Sequence, residues 1–152
     1  MAALTAERTI NAPREVVFAQ FTDLEHAPQR ISGIDELEIL TDGPVGIGTR
    51  FRETRTMFGK QATEVMEFVA FDRPASYELH AESCGSRYRT RFEFEDDAGG
   101  TRVRMHFHAT PLTWPARIMG VITRPLFSGM LRRCIAQDLA DLADACEGRS
   151  GG

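Results

Sequence analysis

From residue 50 to residue 109 the chain alternates apolar and polar positions in five runs, and no helical periodicity interrupts them. Alternation at period two sends neighbouring side chains to opposite faces of a strand. The runs cover residues 49–57, 61–71, 75–83, 87–95 and 101–110. Turn-forming sequences separate them: Phe58-Gly59-Lys60, Asp72-Arg73-Pro74, Cys84-Gly85-Ser86 and Asp96 through Gly100, with Pro111 closing the last. Strands at this spacing predict an antiparallel meander. Two further strands are predicted at 4–11 and 36–41. Between them, Pro13 suits the first residue of a helix, with Asn11 or Ala12 at its cap. Val16, Val17, Ala19, Phe21 and Leu24 form its apolar side. The pattern breaks at Thr22–Asp23, and residues 24–31 predict a second short helix. Gly43, Gly46 and Gly48 with Pro44 predict a loop.

The alternation also assigns faces. Tyr77, Leu79 and Ala81 share one side of their strand, as do Tyr88, Thr90, Phe92 and Phe94, and Val103, Met105, Phe107 and Ala109. The opposite side carries Glu78, His80 and Glu82, then Arg87, Arg89, Arg91 and Glu93, then Arg102, Arg104, His106 and His108. One face is therefore apolar and the other is a solvated lattice of opposite charges. A sheet of this extent must cover its apolar face. The tail supplies the only long helical pattern, predicted in two segments, 114–123 and 126–147. They divide at Pro125, because an interior proline costs ~3 kcal/mol. Phe127, Leu131, Ile135, Leu139, Leu142 and Cys146 make one apolar stripe along it. The expected architecture is α+β: a curved antiparallel sheet of about seven strands wrapped around a long C-terminal helix, with two short helices after the first strand. Residues 1–147 are expected to form one domain and 148–152 a frayed tail.

Composition narrows the functional classes. The chain has 152 residues, 42% of them hydrophobic and 26% charged, with a net charge of −4. Glutamates interleave with the arginines of the outer face, so neither the total charge nor a patch suits nucleic acid. No apolar stretch approaches the ~18 residues of a membrane span. Cys84, Cys134 and Cys146 are odd in number and lack CxxC spacing, which fits reduced thiols in a cytoplasmic setting. The glycine-rich loop leads into a strand, not a helix, so it offers no phosphate cradle; a lid over a cavity mouth is the better expectation for it. His106-x-His108 lacks a neighbouring acidic or thiol ligand. No metal and no cofactor is expected.

The order of elements, the opening Ile10-Asn11-Ala12-Pro13-Arg14-Glu15-Val16-Val17-Phe18 leading to Phe21-Thr22-Asp23-Leu24, then Gly46-Ile47-Gly48-Thr49-Arg50-Phe51, Glu67 through Phe71-Asp72-Arg73-Pro74, and Arg132 to Leu142 together resemble the START/Bet v 1-like (SRPBCC) superfamily, in its polyketide cyclase/dehydrase-like branch. The resemblance spans nearly the whole chain and implies the helix-grip fold. It implies a hydrophobic ligand and no particular activity, since fold does not fix function.

Candidate chemistry centres on Phe51, Glu53, Arg55 and Met57, which share a parity. If Phe51 and Met57 face inward, a carboxylate and a guanidinium enter the hollow, where Arg55 would orient a carbonyl, phenol or carboxylate. The alternative is a solvated pair at the rim. Asp138 interrupts the apolar stripe, either as a cavity acid partnered by Arg55 or as a residue at the stripe's edge. Tyr77, Tyr88 and Thr90 offer hydroxyls that either fix a ligand or satisfy the core. Leu79, Phe92, Met105, Phe107, Phe127, Met130 and Cys134 complete the candidate lining, and each serves equally as core packing. Three functions follow. The first is binding of a small hydrophobic ligand such as a lipid, quinone, polyketide or aromatic. The second is a cyclase/dehydratase in which Glu53 or Arg55 polarises a carbonyl. The third is a protein-interaction or chaperone-like role. The chain is expected as a monomer or homodimer.

Overall fold

Seven antiparallel strands form a single sheet, and the computed structural model describes residues 2–57, 59–83 and 85–148 of the chain. Side chains of Ala2, Met57, Ser83 and residues 121–128 are not described. The predicted turn residues Phe58 and Cys84 and residues 149–152 of the predicted tail lie outside the described residues. The elements are β1 (Ala2–Ile10), α1 (Arg14–Phe21), a 3-10 turn (Leu24–His26), α2 (Ala27–Arg30), β2 (Ile34–Ile39), β3 (Arg50–Met57), β4 (Lys60–Asp72), β5 (Ser76–Ser83), β6 (Ser86–Asp97), β7 (Gly100–Pro111) and α3 (Trp114–Cys146). The strand order is β1-β7-β6-β5-β4-β3-β2. This is the helix-grip fold that the alternation and the closing helix predict.

Two boundaries differ from expectation. Pro13 caps α1 instead of opening it. Its φ of −62° and ψ of 151° are extended, and its carbonyl accepts from Val17 N at 3.0 Å. More consequentially, α3 does not divide at Pro125 but runs unbroken for 33 residues. A proline inside a helix removes one N–H donor and crowds one carbonyl. A break would strip partners from up to four N–H and four C=O groups at two new helix ends. Continuity therefore leaves fewer backbone groups unsatisfied. The Thr113 hydroxyl accepts from Ala116 N at 3.3 Å and caps the start of α3.

Core packing is concentrated at one end. Phe18 of α1 is fully buried, with ring centroids 5.3 Å from Phe71, 5.8 Å from Tyr77 and 5.2 Å from Phe94, all edge-on. Such pairs add to the hydrophobic gain of burying the rings. Beside this plug β1 approaches β7 closely: a methyl at Gly100 would stand 2.7 Å from the Ile10 carbonyl oxygen. Thr101, fully buried, donates its hydroxyl to the Ala12 carbonyl at 2.7 Å and ties the chain entering α1 to the sheet. The second half of α3 buries Ile135, Leu139, Leu142 and Ala143 against the sheet. Its first turns leave Trp114, Ile118 and Met119 exposed. The sheet thus grips the helix over only part of its length, and the concave face between plug and helix is incompletely filled.

The outer face carries the predicted charge lattice: Arg104 pairs with Glu7 and Glu95, Arg102 with Glu7 and Asp97, and Arg91 with Glu93. Exposed pairs of this kind each contribute ~0–1 kcal/mol, so they serve solubility and register more than stability.

Candidate functional site

The unfilled space lies between β3–β7 and α3 as three adjoining chambers of about 180, 170 and 220 Å³. Together they fall within the ~300–1,000 Å³ typical of small-molecule sites. Thr90 lines all three. The largest wall is aliphatic and aromatic: Phe51, Phe68, Leu79, Phe92, Met105, Ile135 and Leu139.

One patch of this wall is charged. Glu53 and Arg55 follow Phe51 inward, as their parity requires, with side chains only 13% and 17% exposed. They do not stand at a solvated rim. Asp138 projects from α3 to meet them. Arg55 Nη1 donates to Asp138 Oδ1 at 3.0 Å and lies 2.9 Å from Oδ2, while its Nε lies 3.6 Å from Glu53 Oε2. Of the two placements open for Asp138, the cavity side is the observed one. Gly33 lies against the cluster, and a methyl there would meet Arg55 Nη1 at 3.1 Å. Ser32, beside it, donates from its backbone N and its hydroxyl to Asp141, at 2.9 and 2.8 Å, fastening the segment before β2 to α3.

Burial sets the electrostatics. It pushes the Glu53 carboxyl above the usual carboxylate range, against the opposing charge of Arg55 and with reinforcement from Asp138. It raises Asp138 as well, against the charge and hydrogen bond of Arg55. Burial disfavours the charged form of Arg55, but Asp138 and Glu53 outweigh it, so the guanidinium stays ionised. The arrangement is a fixed cation beside carboxyls whose proton affinity burial raises, all opening on an apolar space.

The other expected residues divide. Tyr77 is buried with its ring stacked on Phe92, centroids 4.9 Å apart, and burial drives its phenol upward. Tyr88 and Phe107 stack at 5.8 Å and line the outer chamber. Cys134 lines the chamber that contains Asp138, and burial raises its thiol. Met130 is half-buried on α3 and lines none of these chambers, although Leu131 lines two of them; a step of one residue turns the side chain about 100° around the helix, off the lining stripe. The Met57 and Phe127 side chains lie outside the described residues. The loop 42–48 lines no chamber either: Gly48 N donates to Phe68 O at 2.8 Å and Val45 packs on the core, which makes it a tether to β4 and not a lid. His106 is held by Glu93 at 2.9 Å on the outer face. Among the described residues no group of His, Cys, Asp and Glu is placed to hold a metal, and no helix is long and apolar enough to cross a membrane.

Sequence reasoning missed Glu64. It lies in cross-strand register with Glu53, on the same inner face, and burial raises its carboxyl too. Its signal was the parity of Ala62, Glu64, Met66 and Phe68. It also missed the contributions of Leu24, Ala27, Ile31 and Leu37, which close the chamber of about 180 Å³ from the 3-10 turn, α2 with the residue after it, and β2.

Comparison with known proteins agrees with this geometry. The family model described as polyketide cyclase/dehydrase and lipid transport matches residues 1–147. No curated protein matches the chain in sequence. Among solved structures, TTHA0849 from Thermus thermophilus is 23% identical, covers 97% of this chain and 98% of its own, and superposes with a TM-score of 0.81. The di-domain ARO/CYC BexL from the BE-7585A biosynthetic pathway is 16% identical over 97% of this chain and 50% of its own, with a TM-score of 0.81. Ginseng major latex-like protein 151 from Panax ginseng is 11% identical over 95% and 97%, with a TM-score of 0.76. At these identities the likeness establishes the fold.

Proposed function

The chain belongs to the polyketide cyclase/dehydrase and lipid transport family, and on that premise we propose that it binds a small hydrophobic molecule between the sheet and α3. One observation carries this reading: the concave face is left unfilled, apolar on most of its wall, with its few polar groups gathered at Glu53, Arg55, Glu64 and Asp138. An apolar space with sparse convergent polar groups is the usual form of a ligand site. The test is uptake of the neutral fluorophore N-phenyl-1-naphthylamine, with native mass spectrometry for stoichiometry. One molecule should bind per chain. Thr90→Trp, which places a large ring where the three chambers meet, should abolish uptake while circular dichroism stays native. Absence of uptake, or uptake indifferent to Thr90→Trp, overturns the reading.

A second reading, a cyclase or dehydratase acting on a poly-ketone, is favoured by a separate observation. Burial raises the proton affinity of Glu53 beside the Arg55 guanidinium, and both face the same space. That couple suits protonation of a carbonyl oxygen or abstraction of an adjacent proton. The distinction lies in turnover: a poly-ketone analogue should be consumed by the native protein and not by Glu53→Gln, whereas a pure carrier returns it unchanged.

A further inference from the structure

Carboxylates outnumber cations in the chamber wall. Glu53, Glu64 and Asp138 share one guanidinium, and that guanidinium is already engaged: its Nη1 by Asp138 and its Nε, at 3.6 Å, by Glu53. Glu64 is left over. Among the described residues it forms neither a hydrogen bond nor an ion pair, and it lines two of the chambers. Among the described residues that line these two chambers, the basic ones are Arg55 and His80. Thr90 comes from β6, Phe107 from β7, and Leu131, Cys134 and Asp138 from α3. His80, at the outer end, is held by Glu78 at 2.9 Å.

Resting on the reading that this chamber binds an apolar ligand, we propose that the ligand carries a basic nitrogen, held by Glu64, and that carboxylate-bearing ligands are turned away. The physical reason is charge balance in a poorly solvated space. An ammonium group supplies the missing cation and accepts Glu64 as its partner. A carboxylate adds a further acidic group where Glu53, Glu64 and Asp138 already share Arg55, so its charge meets no free cation among the lining residues in a poorly solvated space. The same geometry reverses the role expected from the sequence, in which Arg55 would receive a ligand's carboxylate: Asp138 occupies that position from within the chain.

Decylamine, decanol and decanoate share one tail and differ in head group, so they separate this proposal from the reading beneath it. Each is titrated against bound N-phenyl-1-naphthylamine near neutral pH, using the full-length protein. Decylamine should displace the fluorophore at concentrations at least about tenfold below decanoate, with decanol between them. In Glu64→Gln the gap between decylamine and decanoate should shrink to about threefold or less. Decanoate binding as well as decylamine, or a preference that survives Glu64→Gln, overturns the head-group assignment and leaves the apolar site standing. Failure of the fluorophore and of decanol to bind overturns both. The head-group series in the native protein decides the matter even if the variant does not fold.

Discussion

Replacing Arg55 with methionine tests the charged cluster directly. The substitution keeps an unbranched apolar stem of similar reach and removes the one cation that, among the described residues, lines the chamber with Glu53, Glu64 and Asp138. Removing one member of a buried ion pair typically costs ~3–5 kcal/mol, because the remaining charge is left uncompensated. Here Arg55, Glu53 and Asp138 are 17%, 13% and 26% exposed. Residual hydration places the expected loss at about 2–3 kcal/mol near pH 7.5, a large share of the ~5–15 kcal/mol stability of an ordinary domain. The loss should depend on pH with a definite sign. Glu53, Glu64 and Asp138 all have folded pKa values above their ordinary ones. Between those two values the folded state binds more protons than the unfolded chain, so stability falls as pH rises through the folded values. Without Arg55 the carboxyls hold their protons more tightly still. The deficit of the variant should therefore be greater near pH 7.5 than near pH 5, because the carboxyls take up protons as the pH falls. Urea unfolding at both pH values measures it. The combination Glu53→Gln, Arg55→Met, Glu64→Gln, Asp138→Asn removes the charges together and should recover to within about 1 kcal/mol of the native protein. A deficit equal at both pH values, or a combined variant no more stable than Arg55→Met alone, would refute the assignment of an uncompensated buried cluster.

Two further outcomes follow from single contacts. Thr101→Val keeps the side-chain shape but leaves the Ala12 carbonyl without its 2.7 Å donor; chemical denaturation should show a loss of about 1–3 kcal/mol, and no measurable loss would mean that carbonyl finds another partner. Cys134 lines the Asp138 chamber with a thiol raised by burial, so iodoacetamide should modify it slowly near neutral pH and more slowly still when decanol is bound. Cys146, pushed up to about 11 and lining none of the chambers, should be modified at a rate decanol does not change; equal decanol protection at both thiols, read by peptide mass spectrometry, would place the ligand elsewhere.

How legible these features are in the sequence depends on how local their causes are. Strand faces are readable because burial of one face forces a strict parity, and β5, β6 and β7 keep theirs throughout. In β4 an extra residue, Val69, stands between the pairs Phe68–Leu79 and Ala70–Glu78. It moves the inward set from Phe68 on the even positions to Phe71 on the odd ones. Parity taken across the whole strand therefore cancels, which is why Glu64 escaped notice while Glu53, in a strand without such a bulge at that point, did not. The same limit applies to Pro125. Its local penalty is plain in the sequence, whereas the groups a break would orphan belong to the helix on both sides of it. Met130 illustrates the remaining gap: Leu131 beside it lines two chambers, and the width of the stripe that faces the cavity is set by the opposing strands and not by the helix's own sequence.

The open chamber and the buried ions have one physical origin. Close packing is the default for protein interiors, and α3 achieves it where Ile135, Leu139 and Leu142 meet apolar strand positions. It cannot do so opposite Glu53, Arg55 and Glu64, because pressing hydrocarbon onto ionised groups removes their remaining water without replacing it. Asp138 resolves part of the conflict by pairing with Arg55, and in doing so it holds α3 at the distance of an ion pair, 2.9–3.0 Å between side-chain tips, instead of letting side chains interdigitate. The cluster thus acts as a spacer. It keeps a wall of the sheet from being covered, and the space it preserves is bounded by the groups that would recognise what enters it.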